Sequence, residues 1–108
     1  MQQGSEQIVI LCTCPDSGVA DNMAGVLVGE RLAACVNILP GVVSWFRWQG
    51  KMERADECLL LIKTTRTRYP ALEAKIRALH PYEVPEIIAV PITLGQGDYL
   101  AWIDRETG

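Results

Sequence analysis

The side chains best suited to chemistry in this sequence are four cysteine thiols, at positions 12, 14, 35 and 58, and one imidazole. Cys12 and Cys14 lie two positions apart in an apolar segment, so a strand there would place both on one face with Cα atoms about 6.6 Å apart. That separation is at the far limit of disulfide geometry, so the two thiols could share a soft metal ion more easily than a covalent bond. The alternative is that all four cysteines are small buried hydrophobic side chains, as is usual in a reducing compartment.

The only histidine, His80, begins a connector that two prolines stiffen. Pro81 and Pro85 fix backbone torsions and remove N–H donors on either side of Tyr82. We therefore expect the imidazole and the phenol to be held on a rigid segment between a helix and a strand. Such rigidity suits a binding site, and it equally suits a plain joint between two elements.

Four further polar side chains are candidates for a pocket between subunits. Charged groups near a buried seam need partners, so they could meet there, although they could equally form salt bridges at its rim. The candidates are Tyr82, Glu83, Glu86 and Lys63.

Length and charge limit the class of protein. The chain has 108 residues, which suits a single domain over residues 1–108. A formal net charge of -3 and the lack of a basic cluster exclude nucleic acid and acidic membrane surfaces as expected partners. No apolar segment reaches the roughly 20 residues that cross a bilayer, and the first residues do not resemble a signal peptide. We expect a cytoplasmic protein that does not enter membranes.

Apolar periodicity predicts the first half of the secondary structure. The run from 7 to 13 is typical of a strand buried on both faces. Asp16 or Ser17 offers an N-cap for an amphipathic helix that continues to about Arg31. Residues 35–48 are rich in strand formers, and the Pro40-Gly41 pair predicts a bulge or bend within them.

The second half begins with a two-residue hairpin turn at 49–50, after which the segment 51–65 returns as a strand. Tyr69-Pro70 opens a second helix that ends near His80. A fourth strand is expected over 84–92, and Pro91 within it predicts an edge position. Asp98 is expected to cap a short final helix.

The order strand, helix, strand, strand, helix, strand predicts the α+β ferredoxin-like fold, an antiparallel βαββαβ sheet with two helices on one face and a short C-terminal helix. Such a sheet usually leaves its other face to water, yet three of the four strands are apolar at consecutive positions. Other copies of the chain are the simplest cover, so we expect an obligate oligomer. The hairpin tip, Trp45 to Trp48, should lie against a neighbour, unless its rings fill the protomer's own core.

Five segments together resemble the CutA family, also called divalent-cation tolerance proteins. The similarity runs along nearly the whole chain and implies a ferredoxin-like fold assembled as a tight homotrimer, with edge strands pairing between subunits. The number three comes from the resemblance alone. The segments are Val9–Pro15, Arg31–Gly41, Trp48–Lys51, Leu61–Thr65 and His80–Ile88.

The resemblance also implies a copper site. Copper binding in the family is attributed to a cysteine in the first strand and a histidine at the end of the second helix, which match Cys12 and His80. Some relatives have a second histidine just before it, where this chain has Leu79. The expected topology brings the end of the first strand and the end of the second helix together, so Cys14 can converge with them, whereas Cys35 begins at the opposite end of the sheet. The alternative is a histidine that serves the helix dipole above cysteines of the core.

These observations favour a cytoplasmic homotrimer that takes part in tolerance of divalent metal ions and binds copper weakly. The alternative is a trimeric signalling or scaffold module resembling the PII proteins, with a small ligand between subunits. Acylphosphatases share the topology, but the matching anion loop is missing. The sequence also lacks a second histidine for a triad, a glycine-rich phosphate loop and a nucleophile elbow, so we expect no enzyme activity.

Overall fold

The computed structural model describes residues 6–108, which form a four-stranded antiparallel sheet and three α-helices. Across this part of the chain, none of the helices has the length and apolar character needed to span a bilayer. In chain order the elements are β1 (Gln7–Cys14), α1 (Ser17–Gly29), β2 (Cys35–Trp48), β3 (Lys51–Thr65), a 3-10 turn (Arg66–Arg68), α2 (Tyr69–Leu79), β4 (Ile88–Pro91) and α3 (Gly97–Glu106).

The strands lie in the order β2-β3-β1-β4, so β1 is hydrogen-bonded on both sides and β4 is at an edge. This is the predicted ferredoxin-like arrangement, and the edge position predicted from Pro91 is confirmed.

One face of the sheet forms the core with α1 and α2. Side chains of β1 alternate between buried and part-buried, because successive residues of a strand point to opposite faces. The buried set packs against the apolar sides of both helices. Each large aliphatic side chain removed from water contributes about 1.5–3 kcal/mol to folding. The large, fully buried members are Ile10, Met23, Leu27, Leu60, Ile62, Leu72 and Ile76.

Helix α1 begins as predicted and ends earlier than predicted. Asp16 is the N-cap, and its Oδ1 accepts a hydrogen bond of 2.9 Å from the Val19 N–H. The helix ends at Gly29 because Arg31 takes a left-handed conformation, with φ of 60°. The N–H groups of Arg31 and Leu32 turn back to carbonyls of the last helical turn, at 3.1 and 2.9 Å, as in a Schellman motif.

The long hairpin of β2 and β3 follows the predicted pattern. The register shifts between Leu39 and Val42, where Gly41 has φ of 79°, so the expected bulge is present. Gln49 and Gly50 both have positive φ, as a type I′ turn requires. The hairpin gives the described part of the chain an elongated shape, with principal-axis extents of 49 × 25 × 23 Å.

Two predicted boundaries are wrong. Strand β4 covers only Ile88–Pro91 instead of 84–92, because Pro85 has no N–H to donate to β1 and the chain before Ile88 leaves the sheet. Helix α3 begins at Gly97, so Asp98 lies in its first turn and does not cap it. A carboxylate in the first turn still interacts favourably with the helix dipole.

The second face of the sheet is only partly covered within one chain. Helix α3 packs across the end where β1 begins, and Asp104 accepts a hydrogen bond of 3.0 Å from the Gln7 side chain. Farther along this face and at the hairpin tip, large apolar side chains stay exposed, including Trp45 at 63% of its surface. The tip therefore does not fill the protomer's own core. The exposed set is Leu39, Val43, Trp45, Phe46, Trp48, Ile88 and Val90.

Replacing Asp16 with alanine should lower the free energy of unfolding by about 0.5–2 kcal/mol, because the Val19 N–H loses its acceptor. The measurement is a urea titration at fixed protein concentration, since unfolding of an oligomer depends on concentration. Asp21→Ala, at an exposed position of the same helix, is the matched control. Equal loss of stability in both variants would contradict the capping role.

Candidate metal centre

Three potential ligands meet where β1 ends. The Sγ atoms of Cys12 and Cys14 and a ring nitrogen of His80 all lie within 4.8 Å of one another. Both thiols are fully buried, and the exposed fraction of His80 is 7%. The structure therefore confirms the prediction that these three side chains lie close together.

Local structure explains the convergence. The alternation of β1 turns Cys12 and Cys14 toward the helices, on the same face. Helix α2 ends at Leu79, and His80 takes an extended conformation before Pro81, which cannot continue the helix. The imidazole thereby lies over the end of β1, within hydrogen-bond distance of the Thr13 carbonyl.

Hydrogen bonds fix the protonation pattern of His80. The Tyr82 backbone N–H donates to Nδ1 at 3.1 Å, so Nδ1 must be an acceptor without a proton. On the other side of the ring, Nε2 lies 2.8 Å from the Thr13 carbonyl oxygen, which only accepts, so Nε2 must carry a proton and donate. The ring is therefore the neutral tautomer protonated at Nε2.

Interaction between the two thiols moves their pKa values in opposite directions. The interaction with Cys14, followed by burial and the charges of Glu86 and Glu57, raises the pKa of Cys12 far above its usual range. The interaction with Cys12 lowers the pKa of Cys14, although burial acts in the opposite direction. The Cys12 thiol itself donates to the Thr13 carbonyl oxygen, 3.9 Å away. Metal binding to both sulfurs requires loss of the thiol protons.

A buried acid beside the cluster was missed by sequence reasoning. The exposed fraction of Glu57 is 7%, and its Oε2 accepts a hydrogen bond of 2.6 Å from the Tyr82 hydroxyl. Burial, followed by the interaction with Glu57, raises the pKa of Tyr82 well above its ordinary value. The sequence signal for Glu57 is slight: a charged residue directly precedes the apolar run that starts at Cys58.

The predicted polar pocket is only partly assembled within one chain. Tyr82 and Glu86 line one cavity, and Glu83 borders a neighbouring hollow. Lys63 lies at the other end of β3, where it is paired with Cys35 of β2, so it does not join them in the same chain. The thiol of Cys35 lies 4.0 Å from the Lys63 amino group, away from the cluster, as the topology predicted.

The donor set fits a soft or intermediate metal ion. Thiolate and imidazole favour copper and zinc, whereas magnesium and calcium require oxygen ligands. The Thr13 carbonyl bound to Nε2–H is the kind of outer contact that fixes a ligating histidine. The cysteines and the histidine present therefore suit copper or zinc.

Comparison with known proteins identifies close relatives. The family model described as "CutA1 divalent ion tolerance protein" matches residues 8–106. The divalent-cation tolerance protein CutA of Thermus thermophilus is 52% identical over 100 residues, which cover 93% of this chain and 97% of that protein.

Solved structures agree with the sequence comparison. The divalent cation tolerance protein (Cut A1) from Thermus thermophilus has a TM-score of 0.93 at 51% identity, covering 94% of this chain and 99% of that one. CutA from Xylella fastidiosa has a TM-score of 0.93 at 49% identity, covering 96% of this chain and 100% of that one.

Tyr82→Phe should destabilise the protein at neutral pH by about 1–3 kcal/mol, because it leaves the buried Glu57 carboxylate without its hydrogen bond. The raised pKa of Tyr82 means that the folded state holds the phenolic proton more tightly than the unfolded state. This stabilisation is complete below the ordinary tyrosine pKa of about 10 and is lost as pH rises above it.

The stability difference between wild type and Tyr82→Phe should therefore narrow from pH 8 to about 10.5, which is above the ordinary tyrosine pKa. Urea titrations at both pH values measure it. A difference that stays constant or grows would contradict a protonated Tyr82 in the folded state.

Proposed function

Because the chain belongs to the CutA family of divalent ion tolerance proteins, we propose that it takes part in metal-ion tolerance by binding copper weakly at Cys12, Cys14 and His80. The observation that carries the proposal is the mutual separation of no more than 4.8 Å among the three buried ligand atoms. Thiols and imidazole at such distances suit copper better than hard divalent ions.

The hydrogen bonds of His80 indicate which ring atom would bind. Nε2 carries the proton and donates to Thr13, so it has no free lone pair. Nδ1 has a lone pair, which accepts only the Tyr82 N–H. Nδ1 is therefore the atom available to copper, while the Nε2–H bond keeps the ring oriented. Giving up the Tyr82 bond costs about 0.5–1.5 kcal/mol, which contributes to weak affinity.

Copper binding should be lost in the double variant Cys12→Ser, His80→Ala. The wild type should take up copper near stoichiometrically in an anaerobic copper(I) titration against a competing coloured chelator. Cys35→Ser is the matched control, because it removes a thiol at the opposite end of the sheet. Unchanged copper affinity in the double variant would exclude this site.

We also propose that the protein is a cytoplasmic homotrimer without enzyme activity. Its four cysteines are free thiols in the structure, which suits a reducing compartment. The uncovered apolar face of the sheet, the edge strand β4 and the exposed hairpin tip support assembly with other copies. The number three is the one that the family resemblance implies.

Trp45→Glu should weaken the assembly, because it places a charge at an apolar tip that we expect to contact a neighbour. Sedimentation velocity should show a trimer for wild type and smaller species for the variant at low concentration. Val28→Glu, at an exposed position of α1, is the control and should leave the trimer intact. Wild-type protein that sediments as a stable monomer would refute the assembly.

A trimeric signalling module that binds a small ligand is a second candidate function. The observation in its favour is an open cavity next to Cys12, Cys14 and His80, bordered by Glu57 and Tyr82. This candidate does not depend on copper binding, since the cavity and the cluster use different side chains.

A further inference from the structure

A cavity of about 510 Å³ lies between the hairpin and the connector that follows α2. Trp45 and Phe46 of β2 border it on one side, and Tyr82 of the connector borders it on another. Two carboxylates, those of Glu57 and Glu86, also line it. The cavity is open to solvent, and its size suits a small molecule.

The carboxylate of Glu57 lacks the partner that a buried acid normally has. Within residues 6–108, no lysine, arginine or histidine nitrogen lies within 4 Å of it; the four ion pairs there involve other acids. Its one hydrogen bond, from the Tyr82 hydroxyl, occupies Oε2. No fully buried side-chain oxygen in this part of the chain is unpaired, so Oε1 retains access to the cavity. A buried carboxylate without a cation is costly, and a bound cation would remove that cost.

The residues that line the cavity determine which charge and which chemical class of ligand it can bind. It contains two acids and no basic side chain, so it repels anions. The guanidinium group of the nearby Arg54 forms an ion pair with Asp56, with 3.6 Å between its nitrogen and Oδ1. The aromatic faces of Phe46 and Tyr82 attract ammonium and guanidinium groups and also pack against alkyl chains, whereas a hydrated hard metal ion gains little from them.

We propose that this cavity binds a small organic cation, an alkylammonium or alkylguanidinium ion. The charged head lies against Glu57 and Glu86, and the alkyl part packs against Phe46, which shares a face of the hairpin with Glu57. The hairpin tip that borders the cavity is the part of the chain that we expect to contact a neighbouring subunit. The site is separate from the thiol cluster, and the inference holds whether or not copper binds there.

The test is a set of calorimetric titrations of the full-length protein at neutral pH with a chelator present to exclude metals. The probes are n-butylammonium and n-butylguanidinium, with n-butanol and butyrate as neutral and anionic counterparts. We expect saturable binding of the two cations only.

Variants connect that binding to the named residues. Glu57→Gln keeps an acceptor for Tyr82 and should weaken cation affinity at least tenfold, whereas Glu83→Gln, which removes an equal charge outside this cavity, should change it less than twofold. If Glu57→Gln fails to fold, Phe46→Leu serves instead; it keeps an apolar side chain but removes the aromatic face, and it should also weaken binding.

Three results would overturn the inference. One is binding that survives unchanged in Glu57→Gln and Phe46→Leu. Another is equal binding of n-butanol, and the third is absence of saturable binding of either cation. The Cys12→Ser, His80→Ala variant should retain cation binding, so failure of the copper proposal and failure of this one are distinguishable.

Discussion

The alternation of side chains along β1 decides where both the core and the candidate ligands lie. This strand is hydrogen-bonded on both sides, so its residues cannot rotate, and every second side chain must enter the layer between sheet and helices. Cys12 and Cys14 are in that set, together with Ile8 and Ile10. A shift of one residue in register would move all of them to the other face. The position of the thiol pair is thus decided by the core, and α2 has only to end above it for His80 to complete the cluster.

The cluster of Cys12, Cys14 and His80 is connected to the cavity through one residue. Tyr82 donates its backbone N–H to His80 and its hydroxyl to Glu57, so its two ends contact the two sites. Pro81 and Pro85 stiffen the connector that carries it. The sequence feature that first indicated a site, a histidine and a tyrosine between prolines, therefore corresponds to a physical link.

Local chemistry made much of the fold predictable. Alternating and continuous apolar runs fixed the strands, Asp16 fixed the start of α1, and Gly41 and the 49–50 pair fixed the bulge and the turn. The ends of α1 and β4 were harder to predict from the sequence. Arg31 adopts a conformation that glycine usually supplies, and β4 is shortened because Pro85 cannot donate to β1.

The site was predictable only where topology decided it. The ends of β1 and α2 must meet in this fold, which brought Cys12, Cys14 and His80 together. The pairing of Glu57 with Tyr82 depends on two side chains that are 25 positions apart, one of them on an irregular connector, and no periodicity encodes such a contact. The register of β3 places Lys63 far from Tyr82 in the same chain, so the two could meet only between subunits.

Nitrogen-15 chemical shifts of His80 report both the position of its proton and the binding of copper, because it is the only histidine in the chain. In metal-free protein at neutral pH, we expect a proton on Nε2 and none on Nδ1. On addition of copper(I), the Nδ1 signal should move while Nε2 keeps its proton. A ring protonated at Nδ1 in the metal-free protein would contradict this arrangement of the cluster. So would nitrogen chemical shifts that do not change at saturating copper.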